Sequence, residues 1–305
     1  MLIREALAQG SADLKYAGIK TPGLDASILL SFVLNKNRTF VIASEKEKIN
    51  EKNCAVFCSL IERRANGECV AYLTGKKEFM GLEFTVNKSV LVPRPDTETL
   101  VEAAIEYIKK NLPRTYTNQH EQINNRVLDL CTGSGAVAIS LKHEMPQLDI
   151  YATDICSKAL KVAKENAEKL LGKNKISFFK GDLFNALPSI SASQRLCENS
   201  LPIKFSLIVS NPPYICSSKI QTLSAEVQNE PLLALDGGHD GLDLIRRLIE
   251  NASKYLAPNG VLLLEADPNQ MEEIKTILAK YSFMSIQLYK DLSGSNRVIG
   301  GRYEK

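Results

Sequence analysis

The tetrapeptide Asn211-Pro212-Pro213-Tyr214 is the stretch of this chain whose residue types and order could do chemistry. It follows the apolar run Phe205-Ser206-Leu207-Ile208-Val209-Ser210, which reads as a buried strand. Two adjacent prolines cannot extend a central strand; they lock the backbone into an extended shape and remove its donors. What remains is a rigid row of acceptors. An amide or an exocyclic amine needs such a row, because its nitrogen lone pair is delocalised and its two hydrogens must be held while the pair faces an incoming electrophile. The Asn211 side-chain carbonyl and the Pro212 backbone carbonyl can accept one hydrogen each, and Tyr214 can lie flat against the planar group. Methyl transfer from a sulfonium is an in-line displacement that needs little acid or base help, so positioning and desolvation would supply most of the rate. Taken alone, the tetrapeptide could equally be a loop after a strand, since Asn and Pro are common turn formers.

A second motif decides between these readings. Val127-Leu128-Asp129-Leu130 runs straight into Cys131-Thr132-Gly133-Ser134-Gly135, after which Ala136-Val137-Ala138-Ile139 opens a helix. Glycines at these points let the backbone turn sharply and approach a ligand, and the helix start beyond them offers unpaired amide hydrogens. Asp154 closes the next strand about 20 residues further on, where an acid in a Rossmann-like sheet meets a pair of ribose hydroxyls. A third strand ends at Gly181-Asp182-Leu183. Separately, the loop could be a tight strand-to-helix turn and Asp154 a helix-start acid before Ser157. A dinucleotide enzyme would show the full GxGxxG, whereas here position 131 is Cys and the residue three beyond Gly135 is Ala138. The loop suits adenosine and a methionine carboxylate, with nothing provided for a pyrophosphate. S-adenosyl-L-methionine is the expected cofactor.

These motifs require elements that bring strand ends to one edge. Apolar residues at helical spacing recur over residues 2–8, 24–34 and 45–64, predicting a small helical bundle. Short strands around Phe79 to Phe84 and at Val90-Leu91-Val92 predict a hairpin linker, ending in Pro93-Arg94-Pro95-Asp96, which is expected to be non-helical. Thr97-Glu98-Thr99 caps a helix to about 110, and strands then alternate with helices. The strands are expected at 126–130, 149–153, 175–179, 205–210, 260–265, 283–289 and 297–301, and the helices at 136–143, 157–171, 240–256 and 269–280. Such alternation predicts an α/β, mostly parallel, doubly wound sheet of seven strands. Residues 111–125 and 189–200 are polar and aperiodic and read as surface loops. The expected division is a helical domain at 1–75, a linker at 76–96 and a catalytic domain at 97–305.

The 305 residues carry 44% hydrophobic and 24% charged side chains, enough for one large core and a smaller satellite. A net charge of +3 is too mild for a dedicated nucleic-acid binder, so no direct contact with nucleic acid is expected. No run reaches the length of a membrane span, and the start lacks the segments of a signal peptide. The seven cysteines are scattered, odd in number and without a CxxC pair, which predicts reduced thiols in a cytoplasmic protein. His120, His143 and His239 lie far apart, so no metal is expected. A monomer is the expected state.

The chain resembles the HemK/PrmC family of protein-glutamine methyltransferases over nearly its whole length. The likeness rests on Leu73-Thr74-Gly75 with Glu78-Phe79, Leu91-Val92-Pro93-Arg94-Pro95-Asp96-Thr97-Glu98, the loop from Asp129 to Gly135, and the Asn211 tetrapeptide. It continues through Glu230-Pro231, Leu235-Asp236-Gly237-Gly238, Asp291-Leu292-Ser293-Gly294 and Arg297. The resemblance implies a class I S-adenosylmethionine-dependent methyltransferase fold, Rossmann-like, behind a helical bundle and a β-hairpin linker. It implies that Cys131, Thr132, Gly133, Ser134, Gly135, Asp154, Asp182, Leu183 and Asn211 contact the cofactor. It further implies that Asn211, Pro212, Pro213 and Tyr214 hold the side-chain amide (N5) of the glutamine in the Gly-Gly-Gln tripeptide of class I peptide-chain release factors. The N-terminal bundle then helps to dock the release factor, and Arg94-Pro95-Asp96-Thr97-Glu98 forms the lip of the pocket. This chain departs from the family in having Cys131 at a position often glycine, and Glu265-Ala266-Asp267-Pro268 where Glu-hydrophobic-Gly is usual. Two other readings compete. An N6-adenine methyltransferase acting on nucleic acid would use the same tetrapeptide but should bring a basic recognition region. A catalytically inactive release-factor-binding protein would not need the intact glycines and Asp154.

Overall fold

The structure, a computed structural model, describes residues 1–111, 125–188 and 203–304. The segments expected as surface loops at 111–125 and 189–200 lie almost wholly outside the described residues, as do His120 and Cys197. The chain forms two compact units, one comprising Met1–Lys76, Val86–Lys88 and Thr222–Glu230, the other Lys77–Thr85, Ser89–Gln221 and Pro231–Lys305.

In the first unit five helices follow one another: α1 (Ile3–Tyr16), α2 (Pro22–Leu34), α3 (Arg38–Ala43), α4 (Glu51–Ala65) and α5 (Val70–Thr74). Ile3, Leu14, Leu29, Leu30, Phe57 and Leu60 are among the apolar residues of their common core. The helix expected to stop at residue 8 continues to Tyr16 through Gly10, where a Cβ would lie 2.9 Å from the Phe57 ring; the missing side chain is what lets α1 close on α4. The helix expected from residue 45 begins only at Glu51, because the Asn50 side chain accepts the Asn53 amide at 2.8 Å and caps it there. Arg64, 3% exposed, donates to Asp25 at 2.7 Å and to the Glu68 carbonyl at 3.3 Å, and pairs with Glu226. That pair and a bond from Asn229 to the Gly67 carbonyl at 3.1 Å hold a short helix, α9 (Ala225–Gln228), in this unit despite its late place in the sequence.

A hairpin of β1 (Lys76–Phe79) and β2 (Leu82–Thr85) turns at Met80 and Gly81, whose φ of 49° and 71° match a two-residue turn with both central residues left-handed. Val90-Leu91-Val92, expected as a strand, is irregular. The helix α6 (Pro95–Asn111) begins two residues earlier than expected, so Pro95 and Asp96 are helical after all. A proline is tolerated at the first helical position because its absent N–H has no partner there, and Asp96 and Glu98 suit the positive end of the helix.

The seven-stranded sheet contains β3 (Arg126–Leu130), β4 (Asp149–Asp154), β5 (Ser177–Lys180), β6 (Phe205–Ser210), β7 (Leu256–Glu265), β8 (Phe283–Lys290) and β9 (Asn296–Tyr303), in the order β5-β4-β3-β6-β7-β9-β8. Strands β3 to β7 are parallel, and β9 runs antiparallel to both β7 and β8. Helices α7 (Ala136–Glu144), α8 (Ser157–Leu171), α10 (Leu232–Leu235), α11 (Asp243–Ala252) and α12 (Met271–Lys280) complete the unit. All seven expected strands are present; β7 starts at Leu256, earlier than the expected 260, and α11 is shorter than expected. All six residues of β6 are buried, as a parallel strand covered on both faces must be. Two apolar clusters pack against the sheet, one including Leu100, Ile139 and Val209, the other Leu128, Ile208 and Ile249.

From β3 the chain builds outward through β4 to β5, then returns to place β6 on the other side of β3. The order therefore reverses between β3 and β6, and open sheets bind ligands at such a crevice. The strand ends are level there: Leu130 is opposite both Ser210 and Thr153, and Ser210 is opposite Leu264.

Candidate active site

The glycine loop leaves β3 under strain that its sequence only partly relieves. Cys131, Gly133 and Gly135 all take left-handed backbone, with φ of 61°, 56° and 82°. At Cys131 the side chain pays a steric penalty that glycine would avoid. The two glycines do different work. A Cβ on Gly135 would lie 2.8 Å from Ile139 and 3.2 Å from Ala163, so this residue lets the loop close onto helices α7 and α8. A Cβ on Gly133 would meet nothing within 4 Å, so this residue faces open space beside the N-terminus of α7.

Three side chains hold the loop, those of Asp129 and Asn166 buried and that of Asp154 partly so. Asp129, 1% exposed, accepts the Thr132 hydroxyl at 2.6 Å and the Ala138 amide at 3.3 Å; burial nevertheless pushes its carboxyl up to about 7. Asp154 accepts the Gly133 amide at 2.9 Å and the Cys156 amide at 2.8 Å, and burial raises its carboxyl too. Asn166 of α8 donates to the Ser134 carbonyl at 3.0 Å and exchanges two bonds with the backbone of Thr85. Burial also raises the Cys131 thiol, which is therefore protonated and unreactive at neutral pH.

Asp182 and Leu183 follow β5 at the same edge. Leu183 is left-handed at φ 49°, and the Asp182 carboxylate pairs with Arg247 of α11. The expected cofactor residues thus stand in a row at the ends of β3, β4, β5 and β6. A tight turn opening at the N-terminus of α7, a carboxylate on β4 and an open face at Gly133 fit an adenosine carrying an amino-acid tail.

Asn211 extends from β6 next to that loop. The Ser210 hydroxyl donates to the Leu130 carbonyl at 2.7 Å and ties the two strand ends together. The Asn211 amide nitrogen donates to the Thr97 hydroxyl at 3.1 Å, which turns its side-chain carbonyl the other way. Thr97, read from the sequence as a helix cap, is instead a buried acceptor within the first turn of α6. The Tyr214 hydroxyl donates to Glu265 at 3.2 Å, and the Gln270 side chain donates to the Tyr214 carbonyl at 2.9 Å. Behind the tetrapeptide, a Cβ on Gly237 would lie 2.8 Å from the Pro213 carbonyl, and one on Gly241 would lie 2.2 Å from the Tyr214 carbonyl. The backbones therefore touch, and the Leu235-Asp236-Gly237-Gly238 motif is a backing for the prolines.

Glu265 is 1% exposed, and burial lifts its carboxyl to about 7 against the opposing pull of Thr97, Tyr214 and Arg297. One oxygen, Oε2, has no hydrogen-bond partner among the described residues. Arg297 binds Asp96 and Asp291, each at 3.2 Å. Burial and Glu265 raise the Tyr214 phenol, so it remains a neutral donor. The turn after β7, where the family's glycine is missing, is formed by Asp267: its side chain accepts the Asn269 amide at 2.9 Å while Gln270 reaches back to the Asp267 amide at 3.1 Å. Sequence reasoning did not single out Glu265, Asn166 or Gln270 as site residues. An acid at the end of the apolar run Val261-Leu262-Leu263-Leu264 was the available signal for the first. Among the described residues no group of three or more His, Cys, Asp or Glu is arranged to hold a metal, and no helix is long and apolar enough to cross a membrane.

Comparison with known proteins shows the family of the chain. Residues 5–75 match the PrmC N-terminal domain and residues 121–297 a methyltransferase domain. A release factor glutamine methyltransferase of Clostridium acetobutylicum is 36% identical over 98% of both chains. One of Moorella thermoacetica is 37% identical over 97% of both. Among solved structures, the catalytic domain of hMettl16 matches with a TM-score of 0.53 at 14% identity, covering 80% of this chain and 81% of that one. The 16S rRNA methyltransferase RsmC of T. thermophilus, in complex with AdoMet and guanosine, matches at 0.51 and 18% identity, covering 75% and 50%. These two likenesses concern the fold alone.

Proposed function

Since the chain belongs to the release factor glutamine methyltransferase family, we propose that the tetrapeptide and the glycine loop are the two halves of its active site. The protein is an S-adenosylmethionine-dependent methyltransferase that acts on the glutamine side-chain amide of release factors. Its cofactor supplies the methyl group as a sulfonium electrophile. The observation that carries the assignment of the site is the level ending of β3 and β6, Leu130 opposite Ser210, which puts Cys131 and Asn211 side by side.

In this reading the loop of residues 131–135 and Asp154, whose carboxylate fixes that loop through the Gly133 amide, hold the cofactor, with Asp182 and Leu183 flanking it. The Asn211 side-chain carbonyl and the Pro212 carbonyl each accept one hydrogen of the glutamine amide, and Tyr214 lies against its plane. Gripping both hydrogens orients the nitrogen along the line of displacement. The rate then comes from orientation and from exclusion of water. The helical region 1–75 serves to dock the release factor, the segment 76–96 links it to the catalytic region 97–305, and the lip of the pocket is formed by Arg94-Pro95-Asp96-Thr97-Glu98. A net charge of +3 supports a protein substrate over direct binding to nucleic acid, and six free thiols among the described residues support a cytoplasmic enzyme.

The test is to incubate the protein with labelled S-adenosylmethionine and a class I release factor and to map the product by mass spectrometry. One methyl group on the Gly-Gly-Gln glutamine is expected. Transfer to nucleic acid, or to a release factor whose glutamine has been replaced, overturns the assignment.

A further inference from the structure

We propose that Glu265 is a positioning residue for the transfer: through Thr97 it sets which end of the Asn211 amide faces the substrate, and through the Tyr214 hydroxyl it sets the ring beside it. The inference rests on the reading of the tetrapeptide as the amide grip.

The Thr97 hydroxyl has one hydrogen. Its oxygen accepts from the Asn211 amide nitrogen at 3.1 Å, so the hydrogen is left for another acceptor, and the Glu265 carboxylate is the group on which Thr97 acts. Were the Asn211 amide turned over, its carbonyl would need that same hydrogen. Above about pH 7, where Glu265 is ionised, its carboxylate is the stronger acceptor, since bonds to a charged group are roughly twice as strong as neutral ones. Glu265 therefore keeps the Thr97 hydrogen and leaves Asn211 no alternative but to donate, with its carbonyl directed away from Thr97. That carbonyl is the acceptor the substrate amide requires. At the other end of the tetrapeptide the Tyr214 hydroxyl donates to Oε1 of the same carboxylate at 3.2 Å. One carboxylate thus orients both ends of a tetrapeptide whose middle is already rigid.

Its location permits this. Glu265 ends β7, one residue beyond Leu264, which pairs with Ser210, and it stands opposite Val298 of β9. Arg297 of β9 and Asp96 of α6 are the other charged groups that act on it. Oε2 is buried without a donor among the described residues, an arrangement that weakens a fold and calls for an explanation. The hydrogen-bond direction imposed on Thr97 and Tyr214 supplies one, because a neutral isostere could donate to either oxygen and release both constraints.

The test compares Glu265→Gln, Thr97→Val, the double variant and Thr97→Ser, measuring kcat and KM with a release factor and the affinity for S-adenosylmethionine. Glu265→Gln and Thr97→Val are each expected to lower kcat about 10- to 100-fold with cofactor affinity held within about twofold. The double variant should be no slower than the slower single variant, because both remove the same constraint. Thr97→Ser, which keeps the hydroxyl, should recover most of the rate lost in Thr97→Val. A kcat within about threefold of wild type, losses that multiply in the double variant, or a parallel loss of cofactor affinity overturns the proposal. A neutron crystal structure of Glu265→Gln, which distinguishes amide nitrogen from oxygen, gives a readout independent of the substrate: the Asn211 to Thr97 bond is expected to be lost or reversed, and its persistence in the wild-type direction also overturns the proposal. Failure of the wild-type protein to methylate glutamine counts instead against the assigned reaction.

Discussion

Replacing Glu265 by glutamine is expected to stabilise the unit that carries it at alkaline pH and to leave its stability nearly unchanged at acid pH. Burial lifts this carboxyl from 4.5 to about 7. Between those values the folded chain keeps a proton that the unfolded chain has released, so stability falls as pH rises through that window. Above it the whole difference has been lost. The interval spans about two and a half pH units at roughly 1.4 kcal/mol each, so the wild type forfeits about 3 kcal/mol between pH 4.5 and pH 8. Glutamine resembles the protonated acid in shape and does not titrate, so the variant lacks this term. Asp129, also raised to about 7, contributes a slope of the same sign, but it is present in both proteins and cancels in the difference. The chain contains no tryptophan, so urea unfolding followed by far-ultraviolet circular dichroism at several pH values is the suitable assay. The difference in unfolding free energy, variant minus wild type, should grow by about 3 kcal/mol from pH 4.5 to pH 8. Parallel curves would mean that Thr97, Tyr214 and Arg297 balance burial, and a difference that shrinks with pH that they outweigh it and that the carboxylate is favourably charged in the fold.

Asn211→Ala is expected to reduce kcat about 100- to 1000-fold while S-adenosylmethionine binding stays measurable by calorimetry; equal loss of both would assign Asn211 mainly to the cofactor. Gly135→Ala should destabilise by about 2–4 kcal/mol, combining a left-handed backbone at φ 82° with a Cβ 2.8 Å from Ile139, and a loss under about 0.5 kcal/mol in urea unfolding would contradict the packing described. Arg64→Ala leaves Asp25 buried without its 2.7 Å partner and is expected to cost about 3–5 kcal/mol in the helical unit, read by thermal unfolding; a loss below about 1 kcal/mol would show that Asp25 finds other donors.

Local chemistry made much of this molecule legible. Gly133 and Gly135 lie after an apolar strand and before a helix, and their freedom to adopt positive φ is an intrinsic property of the residue. Pro212 and Pro213 stiffen their own backbone whatever surrounds them. Boundaries failed where a neighbour outside the local pattern intervened. The apolar spacing that marks α1 reaches only residue 8, yet the helix runs on through Gly10, the point at which α1 meets Phe57. Residues 45–50 kept helical spacing, but Asn50 stops the helix with its side chain. Pro95 read as a breaker because its position as the first helical residue depends on where the helix starts.

By itself the sequence determined the chemical vocabulary: a tight glycine loop, an acid at the end of β4, and a stiff acceptor row carrying an asparagine and a tyrosine. Only the tertiary structure decided which groups control them. Asn211 bonds to Thr97 across 114 residues, Tyr214 to Glu265 across 51, and Arg64 to Glu226 across 162. Such pairings follow from strand order and register, which arise from the packing of the whole sheet and leave no periodic trace near either residue. The same holds for protonation. Glu265 is an ordinary acid in the sequence, and its carboxyl rises to about 7 because the fold removes water from around it.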